Sequence, residues 1–182
     1  MRLFVSVGVE TLTERIAAVQ EPLIGLEDVR PTDPEGAHVT LKFLGKGDHD
    51  LDALEAALRR SVERTDTGPF EATLEGVGAF PDPDYIRVVW LGFGAGSEPI
   101  SALHRHVESE MTDLGYEAES HAFTPHVTLA RIDSAASKGE LQRFLEGSPP
   151  EVGTIDVDSI RLTESVLTPD GPEYRTVSRF EL

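Results

Sequence analysis

The tetrapeptide His-Val-Thr-Leu occurs twice, at His38–Leu41 and at His126–Leu129, the copies 88 residues apart in a chain of 182. Only 6 residues of the chain are histidine, so chance recurrence of the whole tetrapeptide is rare. The repeat points to a duplicated half that brings two equivalent histidines to one site. Each copy reads as a β-strand. Valine and threonine are strand-prone, as is the flanking Phe43, and Gly45 ends the first run. Alternate side chains of a strand share a face. His38 and Thr40 should therefore point one way, with Val39 and Leu41 pointing into the core. The second copy should set His126 and Thr128 against Val127 and Leu129 in the same manner.

Hydrophobic spacing organises the rest of the chain. Residues 1–10 read as a first strand. Thr11-Leu12-Thr13-Glu14 has the pattern of a capping box, and Leu12, Ile16, Val19 and Leu23 follow at helical spacing. A Pro-, Asp- and Gly-rich loop, Pro31–Gly36, leads into the first motif strand. A helix is expected over Asp50–Arg64, with Leu51, Leu54, Leu58 and Val62 on one face. Phe70–Phe80 and Tyr85–Phe93 read as a hairpin. The next helix runs from Ser97 to Leu114, with Leu103, Val107, Met111 and Leu114 as its stripe and Gly115 as its stop. A short helix over Lys138–Leu145 and two strands, Thr154–Leu167 and Tyr174–Leu182, complete the chain. This irregular alternation predicts an α+β fold with antiparallel sheets, organised as a single domain over 1–182.

Composition excludes several classes of function. Without cysteine there are no disulfides, thiolate metal sites or cysteine nucleophiles. The absence of cysteine fits a cytoplasmic location, and no apolar run approaches the ~20 residues that cross a bilayer, so no membrane partner is expected. The formal net charge is −17, and the 16 basic residues include only three lysines. A carboxylate-rich, lysine-poor surface fits a salt-adapted cytosol, where a Debye length of about 3 Å screens self-repulsion. It argues against broad, phosphate-tracking contact with nucleic acid, so any such substrate must be gripped locally.

Two imidazoles suit proton transfer near neutral pH, one accepting while the other donates. Cleavage of a phosphodiester needs both acts, and donors for the equatorial phosphate oxygens as well. Thr40 and Thr128 can supply these donors, with Lys42 or Arg131 as charged help. Lys42 lies at an even offset from His38 and should share its face. Arg131 lies five residues past His126, an odd offset, and needs a bulge or the strand end to reach the site. Phe80, at a hairpin end, is a candidate base-stacking platform. His104 and His106 face different directions on a helix. His49 reads as a solvated loop or helix cap, and His121 is a further candidate for the cleft. No His-x-Glu, His-Glu-x-x-His or Asp-x-Asp pattern accompanies either motif histidine, so no metal or cofactor is expected. Gly92–Gly96 lacks the Lys-Ser/Thr of a nucleotide loop and reads as a strand-to-helix turn.

In Arg2–Val5, His38–Gly45, Gly76–Pro81, Arg87–Trp90, Phe123–Arg131 and Leu167–Tyr174, the chain resembles the two-histidine (2H) phosphoesterases. Within them it is similar to the RNA 2′,3′-cyclic phosphodiesterases of the LigT/ThpR type, formerly called 2′-5′ RNA ligases. The resemblance implies a bilobal, duplicated fold in which two antiparallel sheets with flanking helices enclose a central cleft. It implies metal-independent hydrolysis of a ribose 2′,3′-cyclic phosphate, on an RNA end or a small cyclic nucleotide, to the 2′-phosphomonoester. By motif, His38 becomes the proton donor to the departing 3′ oxygen and His126 the proton acceptor from water. Thr40 and Thr128 become the phosphate ligands. A 2′-5′ ligase, a hydrolase of ADP-ribose 1″,2″-cyclic phosphate and a non-catalytic RNA-end binding module are the alternatives. Two departures stand out. Glu27–Pro31 has no aromatic residue ahead of the first motif, which removes the expected base stacking on that side, and Thr124 precedes Pro125 where the family often has arginine, which implies a missing phosphate-binding cation and a weaker grip on long RNA.

Overall fold

Apolar residues at every second position become strands, and those at helical spacing become helices, in a computed structural model that describes residues 1–147 and 151–182. The strands are β1 (Arg2–Gly8), β2 (Val29–Pro31), β3 (His38–Lys46), β4 (Phe70–Asp82), β5 (Tyr85–Phe93), β6 (Val127–Ile132), β7 (Glu151–Val157), β8 (Ser159–Thr168) and β9 (Gly171–Glu181). The α-helices are α1 (Thr13–Gln20), α2 (Leu51–Thr65), α3 (Ser97–Asp113) and α4 (Lys138–Glu146). The fold is α+β, as expected.

Among the described residues the strands form one sheet in the order β7-β4-β5-β6-β3-β1-β8-β9, with β2 on β6. All of its pairings are antiparallel. The order has a centre. Four strands lie on each side of the junction between β6 and β3, which is made by the single pair Val39↔Val127. Each half is therefore a separate antiparallel sheet up to that one contact, of four strands around His38 and of five, with β2, around His126. Neither half is continuous in sequence. The half around His38 takes β1 and β3 from the start of the chain and β8 and β9 from its end.

One face of the sheet is apolar and carries the helices. Leu3, Val5, Val7, Val39, Leu41, Val89, Leu91, Val127 and Leu129 are buried on it against Ile16, Leu54, Leu58, Leu103, Val107 and Met111. A fully buried leucine or valine contributes ~1.5–3 kcal/mol by leaving water, and this layer holds the two motif strands in place. The opposite face carries the histidines. No helix among the described residues is long and apolar enough to cross a membrane.

Four local expectations are corrected. Thr11 caps nothing: a 3-10 turn over Glu10–Leu12 precedes α1, and the Thr13 hydroxyl donates to the Glu10 carbonyl at 2.8 Å instead. Leu114 lies beyond the end of α3 and is exposed. The expected strand Thr154–Leu167 is two strands broken at Asp158, because β7 pairs with β4 whereas β8 pairs with β1 and β9. The expected loop Pro31–Gly36 starts on the short strand β2 and closes with a 3-10 turn over Pro34–Gly36, capped by Asp33.

Candidate active site

β3 and β6 present their motifs as the alternation requires. His38, Thr40, His126 and Thr128 are half-buried on the open face, and Val39, Leu41, Val127 and Leu129 are buried behind them. Both imidazoles are fixed in the same way. His38 Nδ1 lies 2.7 Å from the Gly36 carbonyl, and His126 Nδ1 lies 2.7 Å from the Thr124 carbonyl. A carbonyl can only accept, so Nδ1 carries the hydrogen in each ring. That leaves Nε2 of each ring to take or give a proton.

Each ring also has an aromatic setting. Phe4 and Tyr174 pack on His38 with centroids at 4.8 and 5.0 Å, Tyr174 edge-on. Phe80 meets His126 edge-on at 4.9 Å, and Trp90 lies 6.0 Å away. Trp90 in turn lies across Gly78, where a Cβ would have no room. Phe80 thus belongs to the wall of the site. Sequence reasoning assigned no site role to Phe4, Tyr174 or Trp90. All three occur in the sequence blocks that carry the family resemblance, and that was the available signal.

Burial pushes both imidazoles below the ordinary histidine pKa. In each the backbone carbonyl on Nδ1 opposes this shift. For His38 the charge of His126 adds to the depression, and Arg131 depresses both. His38 therefore feels both His126 and Arg131, and His126 feels Arg131.

A pair of bulges decides which cation reaches the site. In β6 the register slips between Val89/Trp90 of β5, so that Trp90 faces Thr128 while Val88 faces Arg131. One extra residue, Leu129, reverses the alternation, and Arg131 joins the histidine face despite its odd offset. β3 carries the same slip: Ser6 pairs with Thr40 and Val5 with Lys42. Here the reversal works against the expectation. Lys42 turns to the helix side, where it is 2 % exposed. Its Nζ donates to the Glu117 carbonyl at 2.6 Å and pairs with Glu108 at 2.9 Å and Glu119 at 3.7 Å. Lys42 is a structural cation, and Phe43 takes the place on the open face.

Two of the other histidines serve the scaffold. His104 is buried, with Nδ1 2.8 Å from the Leu41 carbonyl and its ring stacked on Phe123 at 4.0 Å. His49 lies in the loop before α2, as one reading expected, but half-buried against the Tyr116 hydroxyl at 2.8 Å, and Asp50, not His49, caps α2. His121 is exposed beside Ser120. Among the described residues no three His, Cys, Asp or Glu side chains are grouped so as to hold a metal ion.

Known proteins share this arrangement of strands. The chain is 39% identical to an RNA 2′,3′-cyclic phosphodiesterase of Aeropyrum pernix over 91% of its own length and 90% of that protein's. It is 34% identical to one of Methanothermobacter thermautotrophicus, covering 100% and 99%. Among solved structures it superimposes on TT0787 of Thermus thermophilus with a TM-score of 0.80 at 27% identity, covering 100% and 98% of the two chains. It superimposes on E. coli LigT complexed with 3′-AMP with a TM-score of 0.78 at 25% identity, covering 100% and 97%. The family model of the 2′-5′ RNA ligase superfamily matches residues 10–166. The chain therefore belongs to the 2′-5′ RNA ligase superfamily, the two-histidine phosphoesterases.

Proposed function

We propose that this protein, acting as a single domain of two pseudo-symmetric lobes, hydrolyses RNA 2′,3′-cyclic phosphate ends, or small cyclic nucleotides, to 2′-phosphomonoesters without a metal. The observation that carries this reading is the matched pair of imidazoles. Both have Nδ1 fixed to a carbonyl, both leave Nε2 for proton transfer, and they are close enough for one charge to depress the other's pKa. The names of relatives that cover nine-tenths or more of the chain support the same substrate class.

In this scheme His126 Nε2 takes a proton from water as its oxygen attacks phosphorus opposite the 3′ oxygen. Negative charge grows on the equatorial phosphate oxygens, where the Thr40 and Thr128 hydroxyls and the Arg131 guanidinium face it. The P–O3′ bond breaks as His38 Nε2–H protonates the leaving oxygen. The cycle ends with His38 neutral and His126 charged, and exchange with solvent restores the starting state. The two rings supply both proton transfers, so the scheme needs no Lewis acid.

The test is turnover of a nucleoside 2′,3′-cyclic phosphate with and without EDTA. Undiminished formation of the 2′-monophosphate in chelator is expected. Loss of activity in chelator would refute the metal-free scheme, and binding without product would leave only an RNA-end binding module.

A further inference from the structure

The two halves of the sheet correspond residue by residue across the β6–β3 junction. Ser6 pairs with Thr40 as Trp90 pairs with Thr128, and Phe4 pairs with Phe43 as Val88 pairs with Arg131. One strand further out, Thr163 sits opposite Phe4 as Phe80 sits opposite Val88, and Arg161 sits opposite Ser6 as Gly78 sits opposite Trp90. The side chains at these matched positions differ greatly in size. Beside His126 the space above the sheet is filled by Trp90 and Phe80. Beside His38 the same positions hold Ser6 and Thr163, joined to each other by a 3.0 Å hydroxyl hydrogen bond. The result is a cavity of about 130 Å³, open to solvent and reaching His38, with Tyr174 and Thr176 on its rim.

The lining selects the occupant. Arg161 is ion-paired with Glu10, and Glu35 lies on the same cavity. Two carboxylates against one guanidinium repel a phosphate group. A guanidinium beside a carboxylate offers donors next to acceptors, the complement of the polar edge of any nucleobase. Tyr174 adds an aromatic wall, and its ring already touches His38. In the proposed function the oxygen that leaves belongs to the ribose and departs toward His38. The ribose and its base must therefore lie on this side of the phosphorus, and the attacking water on the side filled by Trp90 and Phe80.

We propose that the cavity beside His38 holds the nucleoside that carries the cyclic phosphate, with its base against Tyr174 and its polar edge toward the Arg161–Glu10 pair. This inference rests on the assignment of His38 as the proton donor. It makes the 3′-terminal base, read from one side only, a determinant of substrate selection.

The experiment compares a nucleoside 2′,3′-cyclic phosphate with glycerol 1,2-cyclic phosphate, which has the reacting ring but no base. The ratio of their kcat/KM values is read in the native protein, in Thr176→Trp, which closes the exposed rim, and in Glu10→Gln. A large ratio is expected in the native protein, falling about tenfold or more in Thr176→Trp and less in Glu10→Gln. A misfolded fraction lowers both rates together and leaves the ratio intact. A native ratio near one, or a ratio untouched by Thr176→Trp, overturns the pocket. Turnover of neither substrate overturns the proposed function instead. In that case, calorimetric binding of a nucleoside 2′-monophosphate decides the pocket: Thr176→Trp must weaken it about tenfold, and equal affinity refutes it. A short oligoribonucleotide ending in the same cyclic phosphate must show the same fall. A fall confined to the oligonucleotide would give the cavity to an upstream nucleotide and refute the assignment.

Discussion

The β3 and β6 segments carry the same tetrapeptide and bulge at the same leucine, yet they use the two following positions in opposite ways. After Leu129 comes Ala130, buried on the helix side, then Arg131 on the open face. After Leu41 comes Lys42, buried on the helix side, then Phe43, 62 % exposed on the open face. One half places its cation toward the histidines and the other places it in the scaffold. The repeated motif makes the two imidazoles equivalent, and the difference at two positions separates charge from packing. A symmetric site with two open-face cations would hold a phosphate tightly and depress both imidazoles further. A single cation leaves the two rings unequally placed, one beside a guanidinium-bearing strand and one beside an exposed phenyl ring.

The largest effects should come from breaking the equivalence of the rings. His38→Ala and His126→Ala are each expected to lower turnover at least ~10²-fold, the usual worth of a positioned acid or base. The pH profiles should separate them. A base must be neutral to act, so the limb on which rate rises with pH should vanish in the residual activity of His126→Ala. An acid must be charged, so the limb on which rate falls with rising pH should vanish in His38→Ala. Interchanged profiles would reverse the assignment of roles.

The next contrast is between the two open-face residues. Arg131→Met should reduce kcat/KM by roughly 10- to 100-fold through lost charge at phosphorus, whereas Phe43→Leu should change it by less than about threefold on a mononucleotide. Comparable losses in both would mean that the halves are not divided as described. The scaffold cation gives a stability test. Lys42→Met leaves Glu108, whose side chain is 20% exposed, without its close partner. A loss of about 1–3 kcal/mol in urea unfolding is expected, and Ala130→Met in the other half should not reproduce it through the same ion pairs.

The smallest predicted effect is on stability against pH. Both site histidines have a folded pKa below the ordinary value, so the unfolded chain binds more protons just below pH ~6.5. Stability contributed by keeping them neutral is present above that pH and declines as the pH falls through it. The urea midpoint should drop between pH 7.5 and 5.5, and the double variant His38→Ala/His126→Ala should drop less. An unchanged slope in the double variant would assign the pH dependence to carboxylates instead.

Much of this was legible from the sequence, and the misses share a cause. Alternation and helical spacing are local, so the strands, the helices and the outward direction of His38, Thr40, His126 and Thr128 could be read directly. The bulges could not. No glycine or proline marks Leu41 or Leu129, and the extra residue is defined only by its partners on β1 and β5. Parity therefore misplaced Lys42, while the same rule correctly required a bulge for Arg131. The break at Asp158 was hidden for the same reason: the chain there changes partners without changing its pattern. Tyr174 lies far from His38 in sequence, and only the pairing of β8 with both β1 and β9 brings it alongside.

The interleaved origin of the halves has a consequence for synthesis. A nascent polypeptide emerging from the ribosome exposes both imidazoles before the last two strands exist. Until residues 159–181 are made, β1 has no outer neighbour, and His38 lacks the tyrosine that braces it. In the proposed scheme, a fragment that stops short of β8 therefore cannot hold its proton donor in this setting.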